Sequence, residues 1–212
     1  GNKQTISIPP SLLISALGQV EDVGRCVTMD LKRAGNLIYQ VGTTKAELGG
    51  SHFSLVRGLE GGQAPTVDAS SAGKTFAALH AAIGAGLVRA CHDLSEGGLA
   101  VAAAEMCFAG GLGATIRLID VPCDLGSEAD LPAEASLLFS ESNSRFLCEV
   151  APDNQDAFEQ ALTGVPFGLI GQVATGSTLE IVAAGGDENL PDRVIHADVN
   201  QLKETWQKPL RW

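Results

Sequence analysis

Val88-Arg89-Ala90-Cys91-His92-Asp93-Leu94-Ser95-Glu96-Gly97-Gly98-Leu99-Ala100-Val101-Ala102-Ala103-Ala104-Glu105-Met106-Cys107-Phe108-Ala109-Gly110-Gly111 holds the architecture of the chain in miniature. Val88 to Cys91 is a short apolar run of the kind a buried strand makes, and His92 to Gly98 is a polar turn with two glycines. Leu99 to Phe108 offers little polar surface, which predicts a helix covered on most sides, and Gly110-Gly111 supplies its stop. A strand that feeds a covered helix through a polar turn is the repeating unit of a layered α/β domain.

The alternation continues on both sides. Upstream, Pro9-Pro10 excludes an earlier helix start, so Leu12 to Val20 reads as a strand. A second strand, Asn36 to Val41, follows the Ala34-Gly35 turn, and Ser51 to Leu59 has helical spacing through Phe53, Val56 and Leu59. Asp68 to Ser71 offers caps for a helix from Thr75 to Gly86 with Phe76, Leu79 and Ile83 on one face. Downstream the pattern predicts a strand at Ala114 to Ile119, a short helix at Pro132 to Phe139 and a strand at Arg145 to Val150. A helix at Asp153 to Leu162, strands at Gly168 to Ala174 and Thr178 to Ala183, and a helix at Val199 to Trp206 complete the series. The two strands between 168 and 183 are close enough to form a hairpin, so the expected fold is a mixed sheet flanked by helices.

Composition narrows the function classes. In 212 residues, 45% are hydrophobic and 18% charged, which suits a globular core, and no apolar run reaches the roughly 18 residues of a membrane span. Fourteen Lys and Arg against 25 Asp and Glu leave a net charge of -11, so the chain repels phosphate backbones and is no nucleic-acid binder. Any anionic ligand has to be held locally, by a metal or by backbone amides. Aromatics at 5% argue against base-stacking platforms. The five cysteines, Cys26, Cys91, Cys107, Cys123 and Cys148, form no C-x-x-C pair and read as reduced core thiols of a cytoplasmic protein, with no structural zinc site. The opening residues carry neither Met nor a signal-peptide pattern, so the expectation is an excised piece of a longer chain.

Two polar clusters are candidates for chemistry. In the first, His92 to Leu99, Asp93 can offer a carboxylate to Mg2+ and Ser95 a hydroxyl to phosphate. The amides of Gly97 and Gly98 can receive anionic oxygens at a helix start. A capped helix with Glu96 in its first turn accounts for the same residues without a ligand. In the second, Ser140-Glu141-Ser142-Asn143-Ser144-Arg145-Phe146 crowds hydroxyl, amide and carboxylate groups beside one Arg. A solvated turn with Glu141 paired to Arg145 is the plainer alternative. Gly42 to Ser51 is no P-loop, because Lys45 precedes the glycines, and Gly49-Gly50 suits close backbone packing or positive φ. His52, His80 and His196 are too dispersed for a metal site, and no G-x-S-x-G elbow occurs.

Five runs taken in order resemble one family: Pro9 to Gly18, Val27 to Lys32, Glu47-Leu48-Gly49-Gly50-Ser51, His92 to Leu99 and Ser140 to Phe146. Together they look like the carboxyl-terminal part of the phosphoribosylformylglycinamidine synthase synthetase subunit. That family shares its architecture with aminoimidazole ribonucleotide synthetase, selenophosphate synthetase and a hydrogenase maturation factor. The resemblance implies that residues 1–30 are the edge of a nucleotide-binding domain and 31–212 the carboxyl-terminal-type α/β domain of the second of two fused synthetase units. It implies an ATP-dependent ligase reaction in which the amide of formylglycinamide ribonucleotide is phosphorylated and ammonia from glutamine displaces the phosphate, with Mg2+ offsetting phosphoryl charge. Partners would be the upstream synthetase domains and a glutaminase domain or subunit, with ATP or ADP and Mg2+ as cofactors, and the piece alone would be inactive. Carried over by position, Asp93 matches a Mg2+-binding Asp, His92 orients it, and Gly97-Gly98 shape the helix entry. Glu141, Ser142 and Asn143 match a triplet that contacts the ribonucleotide in the first unit; in the second they would line a nucleotide site that does no chemistry.

Overall fold

The computed structural model describes residues 13–126, 131–183 and 192–211. Its centre is a seven-stranded mixed sheet of β1 (Leu37–Val41), β3 (Val88–Asp93), β4 (Gly113–Arg117), β6 (Phe146–Val150), β7 (Phe167–Ala174), β8 (Thr178–Val182) and β9 (Arg193–Asp198). Their order across the sheet is β3-β6-β1-β7-β4-β8-β9, with β4–β8 the parallel pair and the other neighbours antiparallel. A two-rung parallel pair, β2 (Thr44–Lys45) with β5 (Cys123–Asp124), stands apart from it. The expected mixed α/β sheet flanked by helices is the observed fold.

β1 and β6 send side chains into a core on each face of the sheet, because helices cover both faces. In β1, Ile38 joins one core, while Tyr39 and Val41 join the other. The larger core lies under α3 (Gly98–Gly110), α4 (Ala133–Phe139) and α6 (Val199–Gln207), and includes Leu99, Met106, Ile116, Leu147, Ile170 and Ile181. The smaller lies under α2 (Ala69–Gly84) and α5 (Gln155–Ala161), where Leu79, Cys148, Val150, Phe158 and Leu162 meet. α3 is apolar all round, as its sequence predicts for a helix packed on several sides, and it ends at Gly111 in the left-handed conformation. A fully buried carboxylate on β6 anchors the approach to β1. Glu149 accepts from the Lys32 amide (2.7 Å), the Arg33 amide (3.0 Å) and Asn36 Nδ2 (2.6 Å), so its lone pairs are satisfied without a cation.

Three expectations need correction. Residues 13–20 form no strand; Leu13, Ile14 and Leu17 are 94, 77 and 103% exposed, because no neighbour among the described residues pairs with them, and Leu12 lies outside those residues. β7 and β8 run antiparallel but form no hairpin, since β4 is inserted between them. The connection passes the start of β4, where a Cβ on Gly113 would collide with the Thr178 carbonyl, so only glycine admits the crossing chain. α2 begins at Ala69, ahead of the expected Thr75, because Asp68 caps it directly through the Ser70 and Ser71 amides. The cysteines also divide: Cys107 and Cys148 are buried, Cys91 is half-buried, and Cys26 and Cys123 are exposed.

Candidate functional site

The two polar clusters meet. Asp93 ends β3 directly opposite Phe146, the first residue of β6, so the turns that follow β3 and precede β6 lie side by side at one end of the sheet. Between them is a cleft of about 380 Å³, walled by Asp93, Ser95, Glu96, Glu141, Asn143 and Ser144 and backed by Pro65, Phe76 and Phe146. Phe76 of α2 meets Phe146 edge-on at 5.9 Å, so one wall is aromatic and the other polar.

Glu141 ties the clusters together. Its Oε1 accepts from the Gly97 amide and the His52 amide, both at 2.9 Å, with His52 Nδ1 at 3.4 Å. A single carboxylate thus joins the entry of α3 to the start of α1 (His52–Arg57). Gly98 packs so closely on this segment that a Cβ would collide with the Ser140 carbonyl, and its φ of 63° also requires glycine. The Gly98 amide donates to the Ser95 carbonyl at 3.1 Å. Both glycine amides proposed as anion donors therefore already serve acceptors of the chain itself.

Arg145 and Ser142 point inward. Arg145 is 1% exposed; its Nε donates to the Ser142 carbonyl (2.9 Å), Nη1 to Thr44 Oγ1 (2.9 Å) and Nη2 to the Ser140 carbonyl (2.5 Å). Burial pushes the guanidinium down to about 10, against the pull of Glu47 and Glu141, and leaves it charged at neutral pH. No surface ion pair between Glu141 and Arg145 forms. Ser142 Oγ accepts from the Lys45 amide at 3.0 Å and shares a hydrogen bond with Ser140 Oγ at 3.0 Å. The side chains that remain open to the cleft are Asp93, Ser95, Glu96 and Asn143.

His92 is held rather than free. Nε2 donates to Glu105 Oε2 of α3 at 2.7 Å, while Nδ1 lies 3.4 Å from Asp93 Oδ1. Glu105, the carboxylate of an otherwise apolar helix, escapes sequence reasoning because nothing in its neighbourhood shows that it meets His92. Glu47 likewise escapes sequence reasoning: nearly buried, it accepts from the Thr66 amide (3.0 Å) and Thr66 Oγ1 (2.9 Å) and fixes the loop that brings Pro65 to the cleft. His52, assigned no role from sequence, contacts Glu141. Among the described residues no three His, Cys, Asp or Glu side chains converge to hold a metal ion. The implied Mg2+ thus finds the exposed carboxylate of Asp93 but no built cage, and the residues present do not fit a resident metal.

Residues 33–184 match the family model described as AIR synthase related protein, C-terminal domain. The chain belongs to that family. Among solved structures, it is similar to Thermotoga maritima PurL complexed with FGAR, with a TM-score of 0.70 at 21% identity over 85% of this chain and 30% of that one. Thermotoga maritima PurL complexed with ATP gives 0.66 at 22% identity, over 85% of this chain and 27% of that one. Escherichia coli HypE, a hydrogenase maturation protein, gives 0.54 at 17%, over 78% of this chain and half of that one. At these identities the likeness is one of fold. The chain spans under a third of the length of the PurL chains that it matches. No helix among the described residues is long and apolar enough to cross a membrane.

Proposed function

We propose that this chain supplies the carboxyl-terminal-type domain of a phosphoribosylformylglycinamidine synthase, and that its cleft binds the sugar or base portion of a ribonucleotide or of ATP or ADP. The observation that carries the reading is the meeting of two turns, distant in sequence, around a cleft whose open groups are Asp93, Ser95, Glu96 and Asn143. Carboxylate, hydroxyl and amide groups suit ribose hydroxyls and exocyclic amines, and the Phe76–Phe146 wall suits a planar ring. His92, Gly97, Gly98, Glu141, Ser142 and Arg145 then shape the site from behind. The family match and the fold shared with a PurL that was solved with FGAR and with ATP support this assignment.

In the whole enzyme the reaction would be conversion of formylglycinamide ribonucleotide to its amidine with ATP and glutamine-derived ammonia. Residues 1–30 would belong to a nucleotide-binding domain, with further synthetase domains upstream and a glutaminase domain or subunit as partner. Mg2+ enters only as the counter-ion that a nucleotide carries with its phosphates. A second reading, a domain that supports the architecture without binding anything, is favoured by one observation: among the described residues the one cation lining the cleft, Arg145, is occupied by carbonyls and a hydroxyl.

Isothermal titration of the chain with formylglycinamide ribonucleotide, and separately with ADP and Mg2+, distinguishes them. Binding that weakens about tenfold in Asn143→Ala, the loss of one good hydrogen-bonding partner, supports the ligand site. Binding that ignores Asn143→Ala and Asp93→Ala, or no binding of any of these ligands, favours the architectural reading. The chain alone should show no ATP hydrolysis with ribonucleotide and ammonia.

A further inference from the structure

Cys91 of β3 and Cys148 of β6 are directly opposite in antiparallel register, and the Cys148 thiol donates toward Cys91 Sγ at 3.9 Å. Directly opposed residues of an antiparallel pair hold their Cα atoms about 4.5–5.5 Å apart, inside the roughly 4.4–6.8 Å that a disulfide spans. Side-chain rotation can therefore close the remaining gap without displacing either strand. The two sulfurs are unequal in access. Cys148 is fully buried, whereas Cys91 is half-buried on a strand at the sheet edge, so a small oxidant meets Cys91 first. The Cys91 contact and desolvation both push the Cys148 thiol up, so Cys148 does not react with an oxidant ahead of the more accessible Cys91.

The position matters as much as the geometry. Side chains two residues apart on a strand share a face, so Cys91–Cys148 and Asp93–Phe146 are successive rungs on the α2 side of the sheet. The second of these rungs lines the cleft. The thiol pair is the rung immediately behind it.

We propose that Cys91 and Cys148 form a reversible disulfide, closed by hydrogen peroxide and opened by a dithiol, that stiffens the floor behind the cleft. Cys91 sulfur attacks the peroxide, the O–O bond breaks, and water leaves behind a sulfenic acid. Cys148 sulfur then attacks Cys91 sulfur, the S–O bond breaks, and a second water departs, so two thiols are oxidised by two electrons as one peroxide is reduced. Nothing in this proposal depends on what the cleft binds.

The test uses the full chain carrying Cys26→Ser and Cys123→Ser, which removes the exposed thiols at no cost in core packing. Under native conditions, hydrogen peroxide followed by alkylation and peptide mass spectrometry should yield a Cys91–Cys148 linked peptide that dithiothreitol reverses. Amide exchange at 91–93 and 146–148 should slow in the oxidised form, and the melting temperature should rise. Cys91→Ser, with Cys91→Ala as the version that buries no new hydroxyl, should abolish all three changes and leave Cys148 unmodified. The proposal is overturned if Cys91 proceeds to sulfinic acid while Cys148 stays a thiol, or if the link forms only in denaturant. It also fails if the chain with all its cysteines joins Cys91 to Cys26 instead.

Discussion

Asn143 and Arg145 are two positions apart in one polar run, and they belong to opposite halves of the site. Asn143 stands open at the cleft, while Arg145 turns inward and closes hydrogen bonds with Thr44, Ser140 and Ser142. The same division runs through the other cluster: Asp93 and Ser95 face solvent, whereas Gly97 and Gly98 are buried against the segment from Leu138 to Glu141. A rim of exposed polar groups therefore sits on a floor of buried ones. Rim residues are free to change partners and so can serve a ligand; floor residues have spent their hydrogen bonds on holding two turns together.

The comparison breaks most visibly at Arg145. Replacement by Met leaves the Ser140 and Ser142 carbonyls buried without donors, and urea unfolding should register a loss of about 3–5 kcal/mol, or a chain that does not fold. Next comes Gly98→Ala, which sets a Cβ against the Ser140 carbonyl at a φ of 63°. The loss there should be about 3 kcal/mol by the same measurement. Glu141→Ala strips the acceptor shared by the Gly97 and His52 amides, for about 2 kcal/mol, and amide exchange at Gly97 should quicken. Smallest of all, Asp93→Asn and Asn143→Ala should stay within about 0.5 kcal/mol of the parent in stability while altering ligand titrations. Rim variants that unfold the chain like floor variants, or an Arg145→Met protein of undiminished stability, would erase the distinction.

Both polar runs were visible as candidates because polar residues packed between apolar elements stand out in composition. Which of their members face outward was not visible. Arg145 illustrates the reason: beside Glu141 in a polar turn, a surface ion pair is the simplest expectation, and only the approach of Thr44 from another part of the chain supplies the acceptors that make burial tolerable. His52 and Glu105 were overlooked because each meets its partner on a different element, His52 across 89 residues and Glu105 across 13. Likewise the hairpin expected between 168 and 183 rested on short separation alone, and β4, more than 50 residues upstream, takes the place between the strands.

What the amino-acid order determined by itself is the succession of elements around the centre of the chain. β1, β3, α3, β6 and the helices that follow are written in local periodicity and glycine stops, which depend on neighbours a few residues apart. Strand order, the unpaired state of residues 13–20 and the split between rim and floor came from the tertiary structure. These depend on which distant backbone groups satisfy one another's hydrogen bonds, and a turn of one residue in register exchanges a buried side chain for an exposed one.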